Sequence, residues 1–377
     1  MKRLKLISKR KIDLLIVDEV GSDALKYCLP DHMSYSILPV RNVIPLLLSI
    51  KFLNKFFIKI INNENIRYSA LYSIVEVLSP DVIISLIDNS ERNGKLQEFF
   101  PNKLVISIQN GLRSGKYPFP NNVPVLYGFG DYENDLLISI NARFREYNPV
   151  GSLRFGIFMD EYAKSCEERK YDICYVSQFS WRVNIGKIDM TPVMEFEKKI
   201  YSKIVCICQK KGYSLSVAMR NPTNLVVEGN DVYLQELQYF HNMDKQNYAV
   251  YVGNRVEKYT SYCLALASSI VLGVSSTLLY EMFGYGKKVL FLGSGSMKLQ
   301  DRAKIKMNFS KLPEDVCIRS MDTDHIEYKI SNLIQKEQNE YLSSISDAQI
   351  NYMNYGKEFA HHIIKERIRS FVNEQST

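Results

Sequence analysis

The chain has 377 residues, of which 46% are hydrophobic and 24% are charged, and its formal net charge is +7. A length prior of about 150 residues per domain predicts two domains. The composition is that of a folded globular protein, which excludes a disordered or low-complexity chain. The modest positive charge suits phosphorylated substrates or an anionic membrane surface. Nucleic acid is not a predicted partner, because no basic block is interleaved with aromatic residues.

Seven cysteines occur in the chain, and none of them forms a CxxC pair. An odd number of cysteines without a motif favours reduced thiols, so we predict a cytoplasmic protein. The first residues, MKRLKLISKRKIDLLIV, lack both a sustained apolar core and a small-residue cleavage site. They predict a first β-strand and not a signal peptide.

The segment VIPLLLSIKFLNKFFIKII, residues 43–61, is strongly apolar, yet Lys51, Lys55 and Lys59 recur in it at every fourth position. That spacing places the lysines on one face of a helix, opposite apolar side chains. Two interpretations stay open: a helix packed on a sheet, or a basic amphipathic helix on a membrane surface or a partner. The three lysines argue against a membrane-spanning helix.

In the first half of the chain, apolar runs end repeatedly in polar or glycine residues and are followed by helical patterns. This alternation predicts a parallel sheet with helices on both faces, whose ligands bind at the carboxyl ends of the strands. Each polar cluster alone suits a helix cap or a turn, but together they predict a binding face. The residues of this predicted face are Asp18, Glu19, Asp88, Asn89, Gln109 and Asn110.

The pattern breaks between residues 148 and 170, where the polar stretch DEYAKSCEERK predicts a crossing between domains that includes Glu161. Strands and helices then alternate again, and the predicted strand GYSLSVAM ends at Arg220. The spacing of apolar residues predicts a long helix over 351–372. We therefore predict an N-terminal Rossmann-like domain over 1–155, a second Rossmann-like domain over 156–350, and a C-terminal helix over 351–377 that packs back on the N-terminal domain.

Residues 259–293 form the element around which the predicted second domain is organised. A short apolar run ends at Gly273, then Ser275, Ser276 and Thr277 open a helical segment, and a second apolar run follows. Strand, turn, helix and strand in this order bring together free backbone N–H groups, a favourable helix dipole and three hydroxyls, which predicts a phosphate site. The local alternative is a crossover whose hydroxyls cap only their own helix.

Two Rossmann-like halves with such a hydroxyl-opened helix resemble a GT-B glycosyltransferase. The segment LGVSSTLLYEMFGYGKKVLF is similar to the donor-binding element of many bacterial surface-carbohydrate transferases. The resemblance implies an α/β fold of two domains that face a central cleft, with a C-terminal helix crossing back. It also implies that Ser275, Ser276 and Thr277 bind the donor phosphate, that Glu281 accepts hydrogen bonds from the ribose, and that the N-terminal half faces the acceptor.

Four further segments, PDVIISLIDNS, LVISIQNGLR, VGSLR and YDICYVSQF, resemble a narrower family of lipopolysaccharide and capsule biosynthesis proteins. That family includes retaining β-Kdo transferases, which use CMP-Kdo. The resemblance implies a donor site that meets the Kdo carboxylate with cations or hydroxyls, and Arg113, Lys116 and Arg220 are the candidates. The chain lacks the adjacent His-Pro pair that marks some sialic-acid-type transferases.

Glycosyl transfer needs stabilisation of the leaving phosphate and a carboxylate near the anomeric carbon, as a base for inversion or a nucleophile for retention. Asp231 is the first choice, because it lies in an acidic, glycine-containing loop, and a helix N-cap is its structural alternative. Glu161, Asp18 and Glu19 are the other candidates. The DxD spacing Asp322-Thr323-Asp324 precedes a helical pattern and predicts a helix cap, so no metal is expected.

The sequence thus predicts a metal-independent glycosyltransferase without a cofactor. Its substrates are predicted to be a nucleotide sugar, with CMP-Kdo as the best assignment, and a lipid-linked surface glycan, and peripheral contact with the inner membrane is expected. A nucleotide-sugar epimerase or a polyol-phosphate transferase is the alternative on the same fold. A non-catalytic nucleotide- or glycan-binding scaffold is the alternative of another class.

Overall fold

The computed structural model of the protein describes residues 3–7, 11–40, 43–47, 49–62, 65–88, 90–112, 122–139, 141–166, 170–182, 184–185, 188–227, 229–255, 259–295, 309, 311–318 and 320–376. These residues fall into two compact units. The first lies within Met1–Leu112, Pro118–Ile157 and Tyr355–Thr377, and the second lies within Phe158–Asn354. In the described ranges, no helix combines the length and the apolar character that a membrane crossing requires.

A six-stranded sheet forms the centre of the first unit. All its strands are parallel, in the order β3-β2-β5-β6-β7-β8. The strands are β2 (Leu14–Val17), β3 (Tyr35–Leu38), β5 (Val82–Ser85), β6 (Leu104–Ile108), β7 (Asn122–Gly128) and β8 (Arg143–Pro149). The strands β2, β5 and β6 are buried along their whole length, as expected for a parallel sheet covered by helices on both faces.

The helices of the first unit follow these strands along the chain. They are α1 (Ser22–Leu25), α2 (Ile50–Ile61), α3 (Ile66–Leu78), α4 (Glu91–Phe99), α5 (Asp131–Ser139) and α13 (Ala360–Ser376), with a 3-10 turn at Lys26–Cys28. The helix α6 (Leu153–Glu161) begins in the first unit and ends in the second. Leu71 and Val75 of α3 belong to the same buried cluster as Leu15 and Ile83 of the sheet, so α3 is the main helical contribution to this core.

The predicted helix over residues 43–61 is wrong in its first part. Val43–Leu47 form a strand, β4, which pairs in parallel with β1 (Arg3–Ile7), and α2 starts only at Ile50. The predicted single strand at the N-terminus is correspondingly two strands, β1 and β2. Hydrophobic periodicity does not separate a short apolar strand from the start of a buried helix, and here the distant pairing with β1 decides between them.

The second unit is built on a five-stranded sheet, again entirely parallel, in the order β15-β12-β9-β16-β17. Its strands are β9 (Tyr171–Val176), β12 (Leu215–Ala218), β15 (Val250–Val252), β16 (Ser268–Gly273) and β17 (Lys288–Phe291). Two short antiparallel pairs lie outside this sheet. They are β10 (Asn184–Ile185) with β11 (Ile188–Asp189), and β13 (Val226–Val227) with β14 (Asn230–Asp231).

Helices of the second unit cover its sheet. They are α7 (Thr191–Lys211), α8 (Val232–His241), α9 (Thr260–Leu266), α10 (Thr277–Gly284), α11 (Thr323–Gln335) and α12 (Gln338–Tyr352), with 3-10 turns at Ala163–Ser165, Leu292–Gly295 and Glu314–Val316. An aromatic cluster joins the sheet to α7 and α8, because the ring of Tyr201 lies 4.8 Å from Tyr175 and 4.9 Å from Phe240. All three rings are fully buried.

The long C-terminal helix predicted over 351–372 is two helices. The first, α12, ends at Tyr352, and α13 begins at Ala360. Residues 353–359 between them are not helical, and Gly356 has a φ of +54° there, a left-handed conformation that favours glycine. The helix α13 packs within the first unit, where Lys365 Nζ lies 3.3 Å from Asp31 Oδ1 and the ring of His361 lies edge-on to Tyr27.

Candidate functional site

Four neighbouring strands of the second unit end at the same level. In the parallel register, Val176 of β9 is opposite both Ala218 of β12 and Gly273 of β16, and Ala218 is opposite Val252 of β15. The loops that follow these strands therefore meet at one edge of the sheet. We call this edge, formed by residues 177–180, 219–221, 253–255 and 274–277, the carboxyl edge of the second unit. Ligands bind at such edges in open parallel sheets.

Glu236 of α8 ties two loops of the carboxyl edge together. Its carboxylate accepts hydrogen bonds from the Ser177 hydroxyl at 2.5 Å, from the Arg220 N–H at 2.8 Å, and from the Asn221 N–H and side-chain amide at 2.9 and 2.7 Å. The Glu236 side chain is fully buried, and burial raises its pKa although these four donors oppose the shift. Glu236 thus fixes the loop after β9 relative to the loop after β12.

A second buried glutamate, Glu197 of α7, holds the loop after β9 from below. It accepts hydrogen bonds from the Gln178 N–H at 2.7 Å, from the Tyr175 hydroxyl at 3.1 Å and from the Tyr239 hydroxyl at 3.2 Å. Burial raises the pKa of Glu197 to about 7, and the three donors only partly offset that shift. Neither glutamate faces solvent, so we assign both a positioning role at the carboxyl edge.

Arg220 supplies the positive charge of the carboxyl edge. It is exposed, and its guanidinium donates one hydrogen bond, to the Phe179 carbonyl oxygen at 3.1 Å. Its backbone is held on both sides, since Glu236 binds its N–H and the Asn254 side-chain amide binds its carbonyl. Within the described residues, Arg220 has no carboxylate partner. The remaining guanidinium donors are available to an anion, which a guanidinium recognises well.

The three hydroxyl residues at the end of β16 divide into two kinds. Ser276 is the N-cap of α10, and its hydroxyl accepts a hydrogen bond from the Leu278 N–H at 3.3 Å. The Ser276 hydroxyl therefore caps its own helix, which is the alternative to phosphate binding. The hydroxyls of Ser275 and Thr277 have no hydrogen-bond partner in the part of the chain that the structure describes, and both residues are half-buried. They are the two hydroxyls that remain available to a phosphate at this helix terminus.

Glu281 lies one turn into α10 and is almost fully buried. Both of its carboxylate oxygens lie 3.0 Å from the Tyr262 hydroxyl of α9, which donates to them. The Tyr262 ring stacks on Phe158 at 5.0 Å. A ribose at Glu281 would share the carboxylate with Tyr262, which is feasible because each carboxylate oxygen accepts more than one hydrogen bond.

The two predicted catalytic carboxylates occupy different places. Asp231 caps α8, where it accepts a hydrogen bond from the Leu234 N–H at 2.9 Å, so its structural alternative is realised. The start of α8 lies near the end of β15, since a Cβ at Gly253 would meet Tyr233 at 3.0 Å. The strands β15 and β16 are three spacings of roughly 4.8 Å apart, so the start of α8 lies about 14 Å from the hydroxyls that follow β16. Glu161 is exposed at the end of α6, and none of its contacts reaches a described residue of the carboxyl edge.

The candidates of the first unit follow strands of its parallel sheet. Asp18 is buried after β2 and accepts a hydrogen bond from the Val20 N–H at 3.1 Å, and Asp88 is buried after β5. Gln109, buried after β6, bridges the Glu133 carboxylate at 2.7 Å and the Phe129 N–H at 2.7 Å, which is a structural role. Glu19 and Asn110 are exposed. Three candidates lie outside the described residues: Asn89, Arg113 and Lys116.

The DxD spacing is a helix cap, as predicted. The Asp322 side chain accepts hydrogen bonds from the N–H groups of Asp324 and His325 at the start of α11. Its carboxylate is thereby used by its own helix, which is the ordinary role of an aspartate at this position.

The expectation that all cysteines are reduced thiols is wrong for two of them. Cys166, next to the 3-10 turn at Ala163–Ser165, forms a disulfide with Cys263 of α9, while the other five cysteines are free. The two residues are 97 positions apart, so no sequence motif announces the pair. The disulfide lines a cavity of about 530 Å³ together with Tyr162, Tyr171 and Leu264. It also holds α9, the helix that carries Tyr262.

Sequence reasoning missed Glu197, Glu236 and Tyr262, which position the residues of the carboxyl edge. A weak signal was present for Glu197, because it falls among Val193, Ile200 and Ile204 on the apolar face of α7. A carboxylate on a buried helix face needs hydrogen-bond donors around it. The carboxyl edge as a whole combines an arginine, two available hydroxyls and a helix N-terminus, and this combination suits a phosphate group.

Comparisons with known proteins identify the fold. No protein-family model matches the chain, and no curated protein matches it in sequence. Among solved structures, UDP-GlcNAc 2-epimerase of Methanocaldococcus jannaschii, in complex with UDP-GlcNAc and UDP, is similar at 11% identity and a TM-score of 0.54, over 96% of this chain and 99% of that one. The UDP-GlcNAc 2-epimerase of Neisseria meningitidis, bound to UDP-GlcNAc, is similar at 14% identity and a TM-score of 0.56, over 98% and 100%.

A third similar structure is a variant of the wall teichoic acid polymerase TagF that was soaked with CDPG. It shares 13% identity and a TM-score of 0.51 with this protein, over 97% of this chain and 90% of that one. Likenesses at this level of identity establish the fold. The protein therefore has the GT-B fold, with two Rossmann-like α/β units on parallel sheets and a C-terminal helix.

Proposed function

We propose that the protein is a glycosyltransferase that binds a nucleotide sugar at the carboxyl edge of the second unit. One observation carries the proposal: the exposed Arg220 follows β12, the available hydroxyls of Ser275 and Thr277 and the N-terminus of α10 follow β16, and these two parallel strands flank β9 and end at the same level. A cation, hydroxyl donors and a helix terminus are the groups that stabilise a phosphate. Glu281, held by Tyr262, is then placed to meet the ribose.

The donor that we propose is CMP-Kdo, on the strength of the resemblance to β-Kdo transferases. The similar solved structures support a nucleotide-linked ligand in more general terms, since two hold UDP-GlcNAc and one was soaked with CDPG. Of the three candidates for binding the Kdo carboxylate, only Arg220 lies among the described residues, and it would bind the phosphate as well. The acceptor is a lipid-linked surface glycan, and the protein works in the cytoplasm at the inner membrane.

In the reaction, the bond between the anomeric carbon and the phosphate oxygen breaks, and the nucleotide leaves with both electrons of that bond. Arg220 and the α10 terminus stabilise the developing negative charge, so no metal is needed for this step. For retention, a carboxylate attacks the anomeric carbon first, and the acceptor hydroxyl then displaces that carboxylate and gives its proton to the phosphate of the released nucleotide. Asp231 is the first candidate for this carboxylate, and the role requires the sugar to extend from the phosphate towards the end of β15. Asp18, Glu19 and Asp88 belong to the acceptor side in this scheme, whereas the side chain of Gln109 is used within the first unit.

A second function on the same fold is favoured by the extent of the similarities. The two epimerases match this chain over 99% and 100% of their own lengths, so an epimerase needs no domain that this chain lacks. An epimerase would act on a nucleotide sugar without an acceptor. A polyol-phosphate transferase, a third option, would break a phosphate bond and not a glycosidic one.

The experiment that separates these functions is a product analysis. Purified protein is incubated with CMP-Kdo, UDP-GlcNAc or CDP-glycerol, each with and without a glycolipid acceptor, and nucleotides and sugars are separated by chromatography. We expect CMP release that depends on the acceptor. Conversion of UDP-GlcNAc without acceptor would establish the epimerase instead. Release of CMP from CDP-glycerol would establish the polyol-phosphate transferase. Binding of a nucleotide without turnover of any donor would contradict all three enzymes and indicate a scaffold.

A further inference from the structure

The helix α2 presents an apolar stripe to solvent. Apart from the adjacent pair Phe57 and Ile58, its exposed apolar residues lie three or four positions apart on one helix face, which they share with the exposed Asn54. They are Ile50, Leu53, Phe57, Ile58 and Ile61, with exposed fractions between 43% and 87%. Ile66, the first residue of α3, is a further exposed apolar side chain. A surface helix normally turns such a stripe towards the core and its charges outwards.

Two of the three lysines of α2 contact α3. Lys55 Nζ and Lys59 Nζ lie 2.7 and 3.0 Å from the Glu76 carboxylate of α3, and Lys59 is buried. Lys59 Nζ also lies 4.2 Å from the centre of the Phe99 ring, which is a cation–π contact. Glu76 has a lowered pKa: its hydrogen bonds to the two lysines outweigh the burial that opposes the shift.

The buried side chain of Phe52 also holds α2 with its apolar stripe towards solvent. Phe52 is fully buried in the core of the first unit, and its ring stacks on Phe56 at 5.6 Å. Rotating the helix to hide the stripe would expose Phe52 and separate Glu76 from both lysines. The outward stripe is therefore built into the packing of α2 on α3, and it is available for a binding partner.

Exposed cations accompany the stripe in the sequence. Lys51 in the first turn of α2 and Arg67 in the first turn of α3 are exposed, and the sequence from residue 50 to residue 67 holds four basic residues and one acidic residue. The helix has 12 residues, a length of about 18 Å. An apolar helix face flanked by basic side chains is the pattern of a helix that lies in the plane of a membrane surface.

We propose that the α2 stripe docks the protein on an anionic phospholipid surface. The stripe enters the boundary between headgroups and acyl chains, while Lys51 and Arg67 meet lipid phosphates. A stripe one helix wide is small for a stable protein interface, which buries roughly 800 Å² on each partner. The inference rests on the proposed function, because docking on a membrane would bring a transferase to an acceptor whose lipid is held in the bilayer. Its test is independent of donor and acceptor.

The test is flotation of the full-length protein with vesicles of phosphatidylglycerol and phosphatidylethanolamine, and with vesicles of phosphatidylcholine alone. We expect binding to the anionic vesicles only. The variant Ile58→Glu should bind about tenfold more weakly, because an apolar side chain in the membrane is replaced by a charge that anionic lipids repel. Lys51→Gln should weaken binding several-fold and reduce its dependence on salt.

A matched control is Ile138→Glu on α5. Ile138 is exposed to 57% and Ile58 to 52%, so the two changes are the same substitution at equal exposure. We expect Ile138→Glu to bind vesicles like the wild type, and both variants to keep the wild-type melting temperature. Equal vesicle binding by wild type and Ile58→Glu would overturn the proposal. So would a wild-type dimer that Ile58→Glu dissociates without lipid, since the stripe would then join two copies.

Failure of this inference is distinguishable from failure of the proposed function. Vesicle flotation uses no nucleotide, whereas the product analysis runs with an acceptor in detergent. Flotation with anionic vesicles without turnover of any donor would support the docking surface and contradict the transferase. Sugar transfer in detergent without flotation would contradict the docking surface alone.

Discussion

The carboxylate of Glu236 accepts a hydrogen bond from the Ser177 hydroxyl at 2.5 Å and so joins helix α8 to the loop after β9. The same carboxylate binds the N–H groups of Arg220 and Asn221 in the loop after β12. A single buried side chain therefore sets the distance between two loops of the carboxyl edge, including the backbone of the arginine that we assign to the phosphate.

Removing Glu236 should destabilise the protein. Glu236→Ala leaves two backbone N–H groups, a hydroxyl and a side-chain amide without their acceptor in a buried place, which we expect to lower the free energy of unfolding by about 3–4 kcal/mol. Urea denaturation measures this loss. Gln235→Ala, at the exposed neighbouring position of α8, is the control and should change stability by less than about 0.5 kcal/mol. Equal effects of the two variants would show that the network does not hold the loops.

The substitution Asp231→Asn separates the two roles of this residue. Asparagine is as good an N-cap as aspartate, so we expect α8 and the melting temperature to be preserved. Asparagine cannot act as a nucleophile or a base, so transfer should fall by a factor of about 1000 or more while nucleotide binding is retained. Turnover near the wild-type level would exclude Asp231 as the catalytic carboxylate and leave Glu161, Asp18 and Glu19 to be tested in the same way.

Glu197 should make stability depend on pH. Its pKa rises from an ordinary value near 4.5 to about 7 in the folded protein, mainly through burial. The folded state thus binds a proton that the unfolded state has released, and this contribution to stability is lost as pH increases from about 4.5 to about 7. The neighbouring Glu236 carries a charge that pushes in the same direction.

The measurement is urea denaturation of the wild type and Glu197→Gln between pH 5 and pH 8. The glutamine does not titrate, so the wild-type stability should fall relative to that of the variant across this range. A constant difference between the two proteins would mean that Glu197 keeps one protonation state throughout. Tyr175 and Tyr239 do not titrate in this range, because burial raises the pKa of both hydroxyls above its ordinary value.

The disulfide between Cys166 and Cys263 is testable by counting thiols. Protein purified without a reductant and then denatured should show five reactive thiols, and seven after treatment with a dithiol reductant. The pair closes a loop of 97 residues, so its reduction should lower stability by about 2–4 kcal/mol. Seven thiols without reductant would restore the expectation from the sequence, in which every cysteine is free.

Much of the fold follows from local patterns in the sequence. Helix caps at Asp322 and Ser276 are visible as a polar residue before an apolar period, and the buried parallel strands are visible as short apolar runs. The exceptions have a common cause. Val43–Leu47 becomes a strand through its pairing with β1, and the C-terminal helix breaks around Gly356. Both depend on tertiary contacts or backbone conformations that periodicity does not report.

The candidate site was predictable only in part. The hydroxyls after β16 and the arginine after β12 lie at strand ends, where the alternation of strands and helices already placed them. Glu197 and Glu236 lie on helices far away along the chain, and their role appears only when the helices pack under the loops. The orientation of α2 is a further case, because the sequence defines two faces of the helix, whereas Glu76 and the burial of Phe52 determine which face is outside.

A crystal structure of the protein with CMP would show directly whether the carboxyl edge of the second unit binds the nucleotide. We expect the phosphate to lie within hydrogen-bond distance of the hydroxyls of Ser275 and Thr277, at the N-terminus of α10, with the Arg220 guanidinium beside it. The ribose should lie at Glu281. A nucleotide bound elsewhere, with the carboxyl edge of the second unit empty, would rule out this donor site.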